Sequence, residues 1–497
     1  MSRLDARQLL ELVLDSGSFV SWDEPIDPPV EAPASYAGEL ARARAGAGVD
    51  EAVLTGEGRV RGRRVALLVC EYGFLAGSIG VAAAERLVRA VERATAERLP
   101  LLAAAASGGT RMQEGTVAFV QMVKISAAIA RHKAEGLPYL VYLRHPTMGG
   151  VFASWGSLGH VTVAEPGALV GFLGPRVYEA LHGGIFPEGV QTAENLYARG
   201  LLDAVVPVQE TPEIIDRALA VLCADRTGLP RLTPPADEPV AEVPAWESIR
   251  RTRRPERPGV RRLLRGAASD VLPLHGTDQG ETEATLLFAL VRFGDVPCVL
   301  LGQDRRGQTA DRPLGPAALR VARRGMGLAA ELGLPLVTIV DTPGAALSPE
   351  AEERGLAGEI ARCLADMVSL RTATLTLLLG QGAGGAALAL LPADRVVAAQ
   401  HAWLSPLPPE GASAIVHRSI DRAAEMAADQ RVRAVDLYRD RIVDRIVAEH
   451  PDAADEPDAF CARVGEVIRY ELTELLHSDL DALLHERLTR WRTIGHI

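Results

Sequence analysis

Residues 97–111 read ERLPLLAAAASGGTR, and residues 332–346 read LGLPLVTIVDTPGAA. Each stretch is a Leu-Pro, an apolar run of strand length, then a glycine turn. Leu99-Pro100 falls on Leu334-Pro335, and Gly109 on Gly344, a spacing of 235 residues. Carried forward, the spacing lays Gly149-Gly150 on Gly384-Gly385. Carried back, it lays Gly80 on Gly315, each ahead of a helix-like run. Val161, Ala164 and Leu169 fall on Val396, Ala399 and Leu404, with no gap from 80 to about 170. Holding register across two glycine turns and a helix start marks an internal duplication.

Each copy reads strand, helix, strand, glycine turn, helix, strand. In the first copy these are VALLVCE (65–71), a helix over 81–97, LPLLAAAA, a helix over 113–135 and YLVYL (139–143), then TMGG opening another helix. Continuous apolar strands alternating with helices predict buried parallel β-layers and right-handed crossovers. Val120, Val123, Ala127 and Ala130 are the expected apolar stripe of the 113–135 helix. The fold class is therefore α/β, with two tandem domains. The proline- and acid-rich stretch 226–246 sets the boundary. We expect an N-terminal arm (1–50), a first domain (51–230), a linker (231–246) and a second domain (247–497).

The chain has 497 residues, 48% hydrophobic and 24% charged, which is globular composition. A net charge of −11 argues against an extended nucleic-acid or anionic-membrane surface. Five scattered cysteines without a C-x-x-C pair argue against a zinc ribbon or disulfide scaffold and suit a reducing cytoplasm. The acidic N-terminus does not read as a signal peptide. Residues 372–393 (TATLTLLLGQGAGGAALALLPA) are long enough to span a bilayer. Four glycines and a proline favour a buried strand, a glycine turn and a helix start instead.

The four turns are the chemical candidates: Ser107-Gly108-Gly109-Thr110-Arg111 and Thr147-Met148-Gly149-Gly150-Val151, then Asp341-Thr342-Pro343-Gly344-Ala345 and Gly382-Ala383-Gly384-Gly385-Ala386. Glycine admits positive φ and close approach of a ligand. The first N–H groups of a helix have no internal partner, so such a turn can hold an oxyanion. No G-x-x-x-x-G-K-[ST] or G-x-G-x-x-G sits in the proper place, and no nucleophile motif appears. The isolated histidines (His132, His145, His160, His182, His401) read as packing or surface residues. Glu114 and Glu353 each open a helix after a turn, as dipole-stabilising carboxylates or, less simply, as bases. The run Arg250–Arg265 reads as a solvated face or as a clamp for ligand phosphates.

These motifs resemble the carboxyltransferase component of bacterial acetyl-CoA carboxylase. SGGTRMQEG, QMVKISAAIA, GLPYLVYLRHPTMGGVFASWGSLG and AEPGALVGFLGPRV look like its β subunit. DTPGAALSPEAEERG, GQGAGGAALAL, SPLPPEGASAIV and RRPERPGV look like its α subunit. The resemblance covers about 60–470, with both subunits on one chain and without the β subunit's zinc ribbon. It implies two crotonase-type ββα-spiral domains and transfer of a carboxyl group from carboxybiotin, on a separate carrier protein, to acetyl-CoA or a short acyl-CoA, for fatty acid biosynthesis. It implies that Gly108 and Gly109 with Gly150 hold the thioester oxygen, and Gly344 and Ala345 with Gly385 the biotin ureido oxygen. Gly149 and Gly384 complete the turns. Ser107, Arg111, Met148, Thr342, Pro343, Arg254 and Arg257 are the implied substrate-binding residues. No metal is expected. Biotin carboxylase and biotin carboxyl carrier protein are the implied partners, and the chain is expected to form a homo-oligomer. Two rival readings of the same turns are a biotin-independent malonyl-thioester decarboxylase and a catalytically degenerate scaffold of a carboxylase complex.

Overall fold

A computed structural model describes residues 4–26 and 34–495. It divides into two units, residues 1–223 with 278–281, and residues 224–277 with 282–497. Each unit holds one eight-stranded sheet.

In the first unit the strands are β1 (Val20–Ser21), β2 (Val53–Val60), β3 (Arg63–Cys70), β4 (Leu101–Ser107), β5 (Tyr139–Met148), β6 (Val161–Ala164), β7 (Val170–Gly171) and β8 (Ala204–Val205). β2 and β3 form an antiparallel hairpin, and β3, β4, β5, β6 and β8 run parallel. Helix Val81–Ala96 connects β3 to β4, and helix Gly115–Ala134 connects β4 to β5. β4 is buried along its whole length, which its run of leucine and alanine anticipates.

In the second unit the strands are β9 (Asp270–Leu274), β10 (Leu286–Phe293), β11 (Val296–Gln303), β12 (Leu336–Thr342), β13 (Thr374–Ala383), β14 (Arg395–Ala399), β15 (Trp403–Ser405) and β16 (Arg445–Val447). The hairpin, the crossovers and the strand order repeat those of the first unit. The run 372–393 is β13 and the short helix Gly384–Leu388. No described helix is long and apolar enough to cross a membrane.

The duplication holds in three dimensions. Leu101 pairs with Tyr139, and Leu336 with Thr374, both shifted by the same 235 residues. Gly80 and Gly315 precede matching helices. The register slips by one after the second turn: Leu140 faces Val161, whereas Leu375 faces Arg395. Val161, Ala164 and Leu169 therefore correspond to residues one position earlier than the ungapped alignment expects.

One expectation, the inner face of the 113–135 helix, is corrected, and the two flanking segments are tied to the units. The described residues of the N-terminal arm pack on the first unit. β1 pairs with β2, Ala6 donates its N–H to Glu71, and Tyr36 and Leu40 pack against Phe74; residues 27–33, with the proline-rich segment's end, lie outside the described residues. The 231–246 stretch is coil but is held down in the second unit, by Arg445 to Asp237 and the Pro235 carbonyl, Arg433 to the Val243 carbonyl and Gln400 to the Ala241 carbonyl. The Gly115–Ala134 helix buries Ala118, Met122, Ile125 and Ile129 and leaves Val120, Val123, Ala127 and Ala130 outward. That helix carries apolar residues around most of its circumference, so periodicity alone does not choose its inner face.

Candidate functional site

Both glycine turns of each unit lie at the carboxyl ends of adjacent parallel strands, where open α/β sheets place ligands. In the first unit the β4–β5 ladder slips between Ala105 and Ser107, then sets Ser107 opposite Thr147. Gly109 has φ +105°, and Gly149 has φ +61°. A Cβ on Gly109 would lie 3.3 Å from the Met148 carbonyl oxygen and 3.4 Å from the Gly150 nitrogen. The structure therefore brings Gly108, Gly109, Met148, Gly149 and Gly150 together.

The N–H groups of this turn are not all open. Gly108 donates to the Ala76 carbonyl at 2.9 Å, and Gly109 to Ser107 Oγ at 3.0 Å. Ser107 Oγ in turn donates to the Gly77 carbonyl at 2.5 Å. The first N–H in the turn that donates to no described group is that of Thr110, and Gly150 supplies another at the start of the following short helix. Leu75, Ala76 and Gly77, which brace the turn, all have positive φ (44°, 53° and 63°). A Cβ on Gly77 would collide with the Ala106 carbonyl, so that position admits only glycine.

The second unit repeats the plan with different supports. The β12–β13 ladder slips between Val340 and Thr342, then sets Thr342 opposite Gly382. Gly344 (φ +138°) donates its N–H to Thr342 Oγ1 at 3.2 Å, and Pro343 has no N–H. Ala345 and Gly385 are the counterparts of Thr110 and Gly150, and their N–H groups donate to no described group. Nothing lies within 4 Å of a Cβ built on Gly344, so the space over this turn is open. Behind it sits a polar network. Gln308 donates to the Asp341 carbonyl at 3.0 Å and accepts from Thr342 Oγ1 at 2.6 Å. Asp341 is fully buried, and burial raises its carboxyl above the usual range, opposed by Arg305 and Arg257.

Several expected binding side chains work inward instead. Arg111 is buried and pairs with Glu51, with Glu114 3.4 Å away and the Ser78 carbonyl accepting at 2.7 Å. Arg257 is fully enclosed, paired with Glu449 at 2.7 and 2.8 Å and near Asp452. Arg254 bridges Asp452 and Asp455. Most of the arginine-rich run is thus internal wiring of the second unit: Arg251 pairs with Glu247, Arg253 with Glu410, Arg261 with Asp304 and Arg262 with Asp458. The run satisfies itself on folding through acidic partners elsewhere in the chain, while Arg250, Arg261 and Arg265 keep a solvated face. Ser107 and Thr342 turn their hydroxyls into their own turns, and the Met148 side chain is buried; Pro343 alone of this set is exposed at a turn's lip. Glu114 accepts from Tyr36 Oη at 2.5 Å and from the Val81 N–H at 2.6 Å, which commits it to holding the turn and removes it as a base. Glu353 is exposed in the Pro349–Glu353 helix. His132 is buried, and burial pushes it down to about 4, so it stays neutral.

Gln303 and Gln308 have places in these cradles that the sequence reading did not give them, while Thr110 and Asp341, read there only as turn members, gain roles of their own. Thr110 was recoverable, because it sits 235 residues before Ala345. The two glutamines carry no motif and become visible only through their contacts. Among the described residues no group of three or more His, Cys, Asp or Glu is placed to hold a metal.

Comparison with known proteins agrees with this geometry. The carboxyl transferase domain family matches residues 1–481. The probable biotin-dependent acyl-coenzyme A carboxylase beta3 subunit of Mycobacterium tuberculosis is 62% identical over 496 residues, spanning all of this chain and 99% of that protein. The acetyl-coenzyme A carboxylase carboxyl transferase subunits beta/alpha of Salinispora arenicola are 37% identical, over 99% of this chain and 91% of that protein. Among solved structures, transcarboxylase 12S superposes with a TM-score of 0.71 at 19% identity, over 94% of this chain and 90% of that one, which establishes the tandem crotonase-like fold. The chain belongs to the carboxyl transferase domain family, as a carboxyltransferase of the biotin-dependent acyl-CoA carboxylase group.

Proposed function

We propose that this chain moves a carboxyl group from carboxybiotin, carried on a separate protein, to the α-carbon of acetyl-CoA or another short acyl-CoA. The product from acetyl-CoA is malonyl-CoA, the extender for cytoplasmic fatty acid synthesis. The observation that carries this reading is the paired cradle: one turn pair per unit, in the same register, each with an unengaged N–H on both turns.

The reaction needs two such cradles. The carboxyl carbon's bond to the biotin ureido nitrogen breaks, a carbon–carbon bond forms, and the α-proton passes to that nitrogen. Negative charge gathers on the thioester oxygen as the enolate forms and on the ureido oxygen as the carboxyl group leaves. The N–H groups of Thr110 and Gly150 receive the first, and those of Ala345 and Gly385 receive the second. Each donor in a water-poor site is worth ~3–4 kcal/mol of barrier. Gly108, Gly109, Gly149, Gly344 and Gly384 act through backbone shape, since their lack of a Cβ keeps the approach clear.

Biotin supplies the carbon dioxide carrier; this chain supplies only orientation and peptide dipoles. The open space over Gly344 and the partly exposed turns suit a ligand that arrives on a mobile carrier. Biotin carboxylase and the biotin carrier are the partners this requires. The 62% identical relative is named for acyl-coenzyme A and the Salinispora relative for acetyl-coenzyme A, which supports an acyl-CoA acceptor.

The active assembly pairs the first unit of one copy with the second unit of another. Exposed apolar residues follow the turns at equivalent positions, Met112 (81% exposed) and Leu347 (92%), and the helix after the first turn presents Val117, Phe119 and Val123. Patches of this kind mark association surfaces. A fully active monomer by light scattering would contradict this pairing. The reaction itself is tested by incubating the purified chain with malonyl-CoA and a biotinylated carrier domain. CoA-dependent, avidin-sensitive carboxyl transfer is expected, and its absence with every carrier tried would overturn the reading.

A further inference from the structure

Asp341 is the buried carboxylate that the transfer chemistry leaves unused. It precedes Thr342 at the end of β12, is 0% exposed, and stands between the two strands that carry the second cradle. Its Oδ1 accepts the Gln381 N–H of β13 at 3.1 Å, and strand β13 runs on into Gly384 and Gly385. Oδ1 also occupies the space a Cβ on Gly380 would need. The other oxygen, Oδ2, has no hydrogen-bond partner, and Arg305 Nη1 stands 3.6 Å away, likewise without one. The backbone of Asp341 is held as firmly. Its N–H donates to Gln303 Oε1 at 3.0 Å, and Gln303 Nε2 donates to the Ala386 carbonyl at 2.8 Å, one residue past Gly385.

The first unit explains why a carboxylate stands here. At the equivalent positions it has Ala106 and Pro146. Proline has no N–H, so the first unit has no donor to satisfy at that point and needs no acceptor. In the second unit residue 381 is glutamine. The register slip between Val340 and Thr342 takes its N–H out of the regular ladder, and Asp341 Oδ1 receives it.

We infer that Asp341 is a positioning residue of the second cradle. By accepting the Gln381 N–H it fixes the spacing of the two strand ends, so that the Ala345 and Gly385 N–H groups address one oxygen. It touches no substrate, and its role rests on the carboxyl-transfer reading above. The strand-holding contact is made by Oδ1 alone: Oδ2 makes no hydrogen bond and faces Arg305 Nη1 at 3.6 Å as an ion pair.

Two variants of the full chain separate these possibilities. Asp341→Asn keeps an acceptor oxygen for Gln381, and Asp341→Ala removes it. Transfer kinetics with malonyl-CoA and a biotinylated carrier domain give one readout. Hydrogen–deuterium exchange of the peptide spanning residues 378–386 gives a second that needs no activity. D341A is expected to lower kcat at least tenfold, to leave KM for the acyl-CoA within twofold, and to speed exchange in 378–386. D341N is expected to keep kcat within threefold and to retain the parent's protection. Parent-like kcat in D341A, a loss expressed in the acyl-CoA KM, or a D341N that falls as far as D341A would each overturn the inference. Should D341A not fold, D341N decides alone: full activity and protection uphold the acceptor role, and their loss refutes it. Should the parent itself transfer nothing, the functional reading fails, and the exchange pattern still decides whether Asp341 holds the strands.

Discussion

The first and second cradles share their register but not their bracing. In the first, the turn leans on backbone: the Ala76 and Gly77 carbonyls receive Gly108 N–H and Ser107 Oγ, from a run of three left-handed residues. Non-glycine residues in that conformation cost ~1–2 kcal/mol each, so the support is strained and held by its surroundings. In the second, side chains do the same work: Gln308 holds both Thr342 and the Asp341 carbonyl, and Gln303 ties Asp341 to the helix that begins at Gly384. Each copy also removes one donor with a proline, Pro146 in the first and Pro343 in the second, at different points. After duplication, a backbone path can persist while the means of satisfying its buried polar groups is exchanged.

The sharpest way to break this comparison is to crowd both turns. Gly109→Val sets a side chain against the Met148 carbonyl and the Gly150 nitrogen, and Gly385→Val drives one into Ile360 and shifts the turn; each is expected to lower kcat by about 100-fold or more, with native circular dichroism as the control. Near-normal turnover in either would remove that turn from the site. Next in size is the ion pair beneath the second cradle. Burial pushes the Glu449 carboxyl up, and Arg257, with support from His401 and the Ala453 N–H, overrides this and holds it down at about 2. Glu449 therefore contributes stability above the ordinary carboxylate range, of order 3 kcal/mol, and that contribution is lost as pH falls from about 4.5 through 2. Glu449→Gln should lower stability by ~3–5 kcal/mol at pH 7, because it strands a buried guanidinium, and should flatten the acid limb of a denaturation series. The first cradle has its own buried pair, Arg111 with Glu51, so amide exchange in the acid limb of Glu449→Gln should differ from the parent in the second unit and match it in the first.

Smaller effects distinguish the two bracing schemes. Gly77→Ala should destabilise the first unit by a few kcal/mol, since the methyl meets the Ala106 carbonyl, and thermal melting checks it. Gln308→Ala removes two hydrogen bonds behind the second turn and should cost ~1–3 kcal/mol, read as a roughly tenfold loss of kcat with acyl-CoA KM unchanged. Equal shifts in acyl-CoA KM from both variants would show that the cradles do not divide the two substrates between them.

Much of this was legible in the chain before folding. The Leu-Pro, apolar run and glycine turn at 97–111 and 332–346 disclosed the duplication, the α/β class and the four turns. The inner face of the 115–134 helix was not legible, because Val120 and Val123 are as apolar as Met122 and Ile125. The roles of Arg111, Arg254 and Arg257 were not legible either: their partners Glu51, Asp452 and Glu449 lie 60 to about 200 residues away.

What the amino-acid order determined alone is local and periodic: where strands and helices alternate, and where glycine lets the backbone turn through positive φ. Only the tertiary structure decided which peptide N–H groups remain open. A donor is free or engaged according to which carbonyl or hydroxyl folding brings within 3 Å, as Ala76 is brought to Gly108 and Gln308 to Thr342, and no spacing rule encodes that encounter.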